Sequence, residues 1–270
     1  MGKITRHVTK WTQTVLEKLG VRLIRSAEYY DYKQQIGKLS DYQRWSLGSE
    51  YPNLQSWVCA NMGDSKAQLQ QDLVAQFVCN EVGFYVEFGA TNGLDLSNTY
   101  LLESKYQWSG ILAEPGRNWH TELATNRKAT IDQRAVTSKT GDSRIFLEAP
   151  EGEYSTLKEY ASLGLHQHTR SNAHQYTIET VSLNDLLEQH KSPRCIQLIS
   201  IDTEGSELEI LENFDFDKFR VELFFIEHNY SSNQEKIDGL LENKGFKKFL
   251  PAVSQFDGWY INRVIEDRLK

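Results

Sequence analysis

One apolar run that breaks on a glycine turn constrains this chain more than any other feature. Phe84-Tyr85-Val86-Glu87-Phe88 leads directly into Gly89-Ala90-Thr91-Asn92-Gly93. Five apolar-rich residues suit a buried strand, and glycine allows the tight turn that ends it. The same unit recurs downstream, with apolar runs over 110–113, 130–136, 195–201 and 222–226, and a further strand pattern over 141–147 after a turn. Helical periodicity lies between them, over 66–80, 94–105, 117–126, 182–190, 207–214 and 233–244, and strands over 246–250 and 258–261 close the chain. Apolar strands alternating with helices predict an α/β domain with a mostly parallel sheet covered on both faces.

The pattern starts near Ser65, so residues 65–270 form the expected domain and 1–64 a helical, irregular N-terminal extension. Within the extension, Ile4, Val8, Trp11, Val15 and Leu19 mark one face of a helix, with Lys3, Arg6, Lys10 and Lys18 off it. That stripe has two readings. It packs on its own domain or on a second copy in a homo-oligomer, or it makes peripheral contact with an anionic membrane through residues 1–25. Residues 26–64 are aromatic and polar, without strand rhythm, and read as irregular helices and loops.

Net charge of -7 argues against generic nucleic-acid binding. No apolar run approaches the ~20 residues that span a bilayer, and the N-terminus lacks the apolar core of a signal peptide. Cys59, Cys79 and Cys195 are scattered, with no CxxC. They fit core thiols in a reducing setting, and a cytoplasmic protein, with the inner membrane face as the alternative, is expected.

In a sheet of this kind ligands bind beyond the carboxyl ends of the strands. At the first end, a GxGxxG dinucleotide fingerprint would need glycine where Thr91 and Leu94 stand, and no GxxxxGK[ST] loop exists. The remaining pattern, E-x-G-x-x-x-G from Glu87 to Gly93, suits a cofactor with a cationic amino-acid end, S-adenosyl-L-methionine. Glu87 is expected to face its ammonium, with the backbone of Gly89, Ala90 and Gly93 beside the sulfonium and ribose. At the second end Glu114-Pro115 places an acid 27 residues after Glu87, suited to a ribose diol; alone, Glu114 reads as an acid at a helix N-terminus. At the third, Asp202, Thr203, Glu204 and Gly205 follow an apolar strand, where the acids read as helix caps or as site residues. At the fourth, Glu227-His228-Asn229 ends the next strand, and His228 is expected beside Asp202.

Taken in order, GFYVEFGATNGLDLSNTYLLE, WSGILAEP, LISIDTEGSELEIL, FFIEHN and FDGWYI resemble the FkbM family of S-adenosylmethionine-dependent methyltransferases, over roughly Ser65 to Asn262. The resemblance implies a Rossmann-like class I methyltransferase fold with a mostly parallel seven-stranded sheet. It also implies O-methylation of a sugar or glycan hydroxyl, including a polysaccharide or lipid-linked precursor. Glu87, Gly89, Asn92, Ser97, Asn98, Glu114 and Asp202 are thereby placed along the cofactor. Thr91 and Asn92 stand where many relatives carry Asp or Ser.

Methyl transfer to oxygen needs a group to take the hydroxyl proton. His228 is the leading base, because an ordinary imidazole titrates near neutrality, and Asp202 is the alternative. Asp202, Glu204, Glu227 and His228 also have the chemistry of metal ligands, although strand-end acids are expected to meet the cofactor and no metal is assigned. His166, His168 and His174 fall in a stretch, 153–176, that reads as a solvated loop or a lid over a polar acceptor. Two rival classes share these observations: a nicotinamide-dependent oxidoreductase, disfavoured by the missing glycines, and a non-catalytic scaffold on a membrane.

Overall fold

The structure, a computed structural model, describes residues 26–162 and 168–270, the side chains of 26–35 aside. The amphipathic stripe of Ile4–Leu19 and His166 lie outside the described residues. Two compact units divide the chain, Met1–Arg44 and Trp45–Lys270. In the first, a helix begins at Ser26 and runs to Gly48. Of the irregular helices and loops expected over 26–64, this helix and a second, Pro52–Asn61, account for most of the stretch. Pro52 opens the second helix at a position where its missing N–H costs nothing.

In chain order the strands are β1 (Phe84–Phe88), β2 (Ser109–Ala113), β3 (Thr130–Asp132), β4 (Ala135–Thr137), β5 (Ser143–Glu148) and β6 (Thr156–Leu157). They continue as β7 (His174–Ser182), β8 (Cys195–Ile201), β9 (Arg220–Glu227), β10 (Phe246–Lys248) and β11 (Asp257–Asn262). Seven of them form one sheet in the order β10-β11-β9-β8-β1-β2-β3. From β9 to β3 every pairing is parallel, and β11 runs antiparallel to both of its neighbours. Order and register place the carboxyl ends of β1, β2, β8 and β9 and the start of β11 along one edge.

Alternate residues of these strands feed two separate cores, as the two-residue period of a strand requires. Val86, Phe88, Ile111, Ile199, Ile201 and Phe224 pack with Leu186, Leu187, Ile210, Leu211 and Leu241 from the helices Leu183–Gln189, Glu207–Glu212 and Gln234–Asn243. Tyr85, Leu112, Leu198, Leu223 and Phe225 pack with Leu54, Val58, Leu73 and Val74 from the helices Pro52–Asn61 and Gln71–Cys79. The second core holds a cluster of large rings in which Trp259 meets Trp45, Phe225 and Phe249 at centroid distances of 6.2, 5.4 and 6.1 Å. Burying each such side chain stabilises the fold by about 1.5–3 kcal/mol. Helices therefore cover both faces, as the strand–helix alternation predicts.

A second sheet, β4-β7-β5-β6, was not foreseen. β4 pairs parallel with β7, while β5 runs antiparallel to β7 and β6. It divides what the apolar pattern reads as one strand over 130–136. Asp132 accepts hydrogen bonds from the backbone and side chain of Arg134, which turns the chain between β3 and β4. Part of the expected loop over 153–176 is also strand, for His174 begins β7 and pairs with Glu148.

The expected helix over 94–105 shortens to Tyr100–Ser104. The Asn92 carboxamide accepts from the N–H groups of Leu94 and Asp95, and Leu96 takes a left-handed conformation with φ of 59°. The Glu87 carboxylate then accepts from the Asn98 N–H at 2.7 Å, pulling the segment onto the sheet edge before a helix starts. Among the described residues no helix is long and apolar enough to cross a membrane.

Candidate active site

At the carboxyl edge the strands surround a cavity of about 1140 Å³, the open solvent at its mouth included. The first strand end contributes Glu87, Phe88, Gly89, Ala90 and Thr91, the second Ala113, Glu114 and Pro115, and the third Ser200, Ile201, Asp202, Thr203 and Glu204. Glu227 and Asp257, register partners on β9 and β11, complete that row. Arg134, Ala135, Val136, Phe146 and Leu157, from the second sheet and its approach, form an apolar-rich wall.

Gly89 is required by packing within the protein. Its φ is 71°, and a Cβ there would stand 2.0 Å from the Asp202 carbonyl oxygen. The first turn is thus seated directly against the end of β8. Gly93, with φ of 75°, is closed in by Leu123 and Arg127, so it packs the turn against the helix His120–Asn126. Gly93 and Asn92 do not line the cavity. Asn92 instead folds its own turn through Leu94 and Asp95.

Glu87 lines the cavity, yet its carboxylate is already engaged. It accepts from the Asn98 N–H, from the Ser97 hydroxyl at 3.0 Å and from the Thr99 hydroxyl. Arg127 stands 3.6 Å beneath it, its side chain fully buried. The same guanidinium donates to Gly93 O, Ser97 Oγ, Tyr85 Oη and Thr99 Oγ1 at 2.8–3.1 Å and pairs with Glu103 at 3.2 Å. No sequence motif flagged Arg127. Its only signal was a cation directly after a predicted helix, a common surface pattern.

Ser97 and Asn98 both line the cavity. The Asn98 amide donates to Ser200 Oγ at 2.9 Å, while its Oδ1 is buried with no hydrogen-bond partner among the described residues. An unpartnered buried carbonyl is costly unless a ligand donor completes it.

Glu114 is 4% exposed and accepts from the N–H groups of Thr91 and Gly116 at 2.8 and 2.7 Å. It therefore ties the first turn to the second and does not cap a helix, for the next helix starts only at His120. Burial pushes its carboxyl up to about 7, against the pull of those two amides.

At the third and fourth ends the acids crowd together. Asp202, Glu204 and Glu227 each present an oxygen within 4.8 Å of the others. Burial raises Asp202 well above the ordinary carboxylate range, helped by the charge of Glu204, and burial beside Asp202 does the same for Glu227. Glu204 rises to about 7 through burial, although the buried Arg170 guanidinium pairs with it at 2.8 Å. Hard oxygen donors in this arrangement have the chemistry to hold a divalent cation. Raised carboxyls in a cavity equally have the chemistry of proton carriers.

His228 is not among the cavity-lining residues, contrary to its expected place beside Asp202. It borders a separate small pocket behind Glu227, with Gly205, Asn229 and Asn233. Its Nδ1 accepts from the Tyr230 N–H at 3.1 Å, and burial together with the Lys248 charge lowers its basicity. Glu227 lines the cavity, so in the two-residue period of a strand the next residue falls on the opposite side, and the chain then turns with Asn229 and Tyr230 both at positive φ. Of the remaining histidines in the 166–174 stretch, His168 precedes a short turn of helix and His174 opens β7, and neither lines the cavity.

A mostly parallel sheet covered on both faces, with a polar cavity at its carboxyl edge and acids on successive strand ends, defines an α/β enzyme built around a bound ligand. The chain belongs to the FkbM methyltransferases: the family's Methyltransferase FkbM domain matches residues 87–248, more than half of its length. The match runs from Glu87 through β10 and spans the carboxyl ends of β1, β2, β8 and β9, with Asp257 of β11 beyond it. No curated protein matches the chain. The protein is a methyltransferase.

Proposed function

We propose that this methyltransferase uses S-adenosyl-L-methionine to methylate a hydroxyl oxygen of a sugar or glycan, and that its sheet is the Rossmann-like core of the class I enzymes. The observation that carries the reading is a single cavity with an apolar end and an acidic end, joined by the first turn. Val136, Phe146 and Leu157 suit a flat base, and the Glu114 carboxylate beside them suits a ribose diol. The orphaned Asn98 Oδ1 suits an ammonium, and the acids beyond it suit a sulfonium.

When bound, the cofactor supplies an electrophilic methyl group. The chain's own residues then have three tasks. Glu114, Asn98 and the backbone from Gly89 to Thr91 hold and orient. The walls from the second sheet exclude water. Asp202 takes the proton as the acceptor oxygen gains its methyl group, a role its raised affinity for protons suits. Orientation of this kind lowers a barrier by as much as about 7–11 kcal/mol in well-aligned systems, and proton removal typically adds about 10²–10⁴-fold.

Titration calorimetry with S-adenosylhomocysteine, followed by transfer of labelled methyl from S-adenosylmethionine to a panel of neutral hexosides, tests the reading. Binding of a nicotinamide dinucleotide with no binding of S-adenosylhomocysteine sinks it.

Cytoplasmic placement, with residues 1–25 touching the inner membrane face, is part of the same proposal and rests on the sequence stripe. Liposome flotation with and without those residues decides it, and equal flotation of both forms overturns it.

A further inference from the structure

Leu96 is an anomaly of the cavity mouth. It lines the cavity, its side chain is 49% exposed, and its φ is 59°. Left-handed backbone is costly for a residue with a Cβ, and leucine has no polar atom with which to repair it locally. Leu250 shares this conformation, with φ of 51°, but it is only 1% exposed and buries its side chain in the core. Leu96 has no such compensation.

Its backbone is held in place. Residues 97–99 are tied to Glu87, Asn92 fixes the turn before it, and Leu96 pairs with Ala67 in an isolated parallel bridge. Next to that bridge, Gln68 is exposed and lines the same cavity. Glycine would satisfy this backbone better, and a polar residue would satisfy the solvent better. Strain held at a ligand cavity points to a function for the side chain that the protein alone does not show.

Resting on the reading of the cavity as a methyl-transfer site, we infer that Leu96 is a specificity residue for the acceptor. Its side chain forms an apolar contact at the mouth for the C–H face of a neutral sugar ring whose hydroxyl points inward. The cofactor contacts are assigned to Glu114 and Asn98, and the Leu96 side chain to the acceptor. Leu96 therefore selects the acceptor without helping to hold the cofactor.

The test uses full-length protein saturated with S-adenosylhomocysteine and titrated with a panel of neutral p-nitrophenyl hexopyranosides. Wild type binds at least one glycoside. Leu96→Gly and Leu96→Ala weaken that binding about four- to tenfold, as expected for losing roughly half the burial of a leucine side chain. Affinity for S-adenosylhomocysteine stays at the wild-type value in both variants. Leu96→Gly also keeps its melting temperature, because relief of the left-handed strain offsets the added freedom of the unfolded chain. Equal glycoside affinity in wild type and both variants overturns the inference, as does failure of every glycoside to bind a protein that binds S-adenosylhomocysteine. If wild type does not bind S-adenosylhomocysteine, the underlying cofactor reading fails and this inference falls with it.

Discussion

Asp202 and Glu227, at the ends of the neighbouring strands β8 and β9, bring carboxylate oxygens within 4.8 Å of each other and of Glu204. Buried like charges this close cannot all ionise freely, so the acids titrate together, and burial first holds both Asp202 and Glu227 well above the ordinary carboxylate range.

The cluster makes a prediction for the pH–rate profile. Activity rises with pH as Asp202 loses its proton. After burial, the Glu204 charge is what holds Asp202 high, so Glu204→Gln moves the acidic limb to lower pH. The dependence of kcat/KM on pH measures this. A limb that stays in place shows that Asp202 is not the group observed.

Stability has its own pH signature. Asp72 and Asp257 titrate near about 6, and Glu114 and Glu204 near about 7, all raised first by burial. Each is raised above its unfolded value of about 4. Its contribution is therefore fully present below pH ~4 and lost as pH rises through the folded value. Asp132 and Glu209, held down to about 2 by Arg134 and Arg144 against their own burial, act in the opposite sense, and their contribution is lost only in stronger acid. The ligand-free protein thus melts at a higher temperature at pH 5 than at pH 8, and Asp72→Asn flattens the slope. Thermal melts across that range check both statements, and a rising melting temperature toward pH 8 contradicts them.

Local rhythm made the sheet legible. β1, β8 and β9 are apolar along nearly their whole length because both faces are covered, and such runs are visible without knowing their neighbours. The second sheet was not, because β4 and β7 belong together only through a pairing of residues 135–137 with 180–182, far apart in sequence. At the site, the placement of Glu87, Gly89, Ala90, Glu114, Pro115 and Asp202 on the cavity follows from strand ends, and that of Ser97 and Asn98 from the family resemblance. The place of His228 follows instead from the two-residue period of a strand: Glu227 lines the cavity, and the next residue falls on the opposite side. Arg127 leaves no such trace, for its importance lies in partners that span residues 85 to 103.

Arg127 carries the third prediction. Its guanidinium neutralises Glu87 and Glu103 while bonding three hydroxyls and one carbonyl. Arg127→Met leaves Glu87 buried and unpaired, a change that costs about 3–5 kcal/mol in comparable buried pairs. Arg127→Lys keeps the charge but not the fork, and falls between. Chemical denaturation measures the loss. Recovery of part of it in Arg127→Met combined with Glu87→Gln shows that the unpaired charge is the cause, and no recovery in the double variant rejects that account.

The last prediction separates the two residues first considered as the base. His228 accepts from the Tyr230 N–H, faces Lys248 and lies behind Glu227, whereas Asp202 borders the cavity itself. Replacing Asp202 by Asn keeps the shape and removes the proton acceptor, so kcat falls by about 10²–10⁴-fold while affinity for S-adenosylhomocysteine changes little. Replacing His228 by Ala removes one hydrogen bond and some packing, so it lowers stability by about 1–2 kcal/mol and leaves kcat within a few-fold. Single-turnover methyl transfer measured beside denaturant melts distinguishes the two. A His228→Ala protein that folds as stably as wild type yet loses as much rate as Asp202→Asn would return the base to histidine, and would require the turn after β9 to swing the imidazole into the cavity during the reaction.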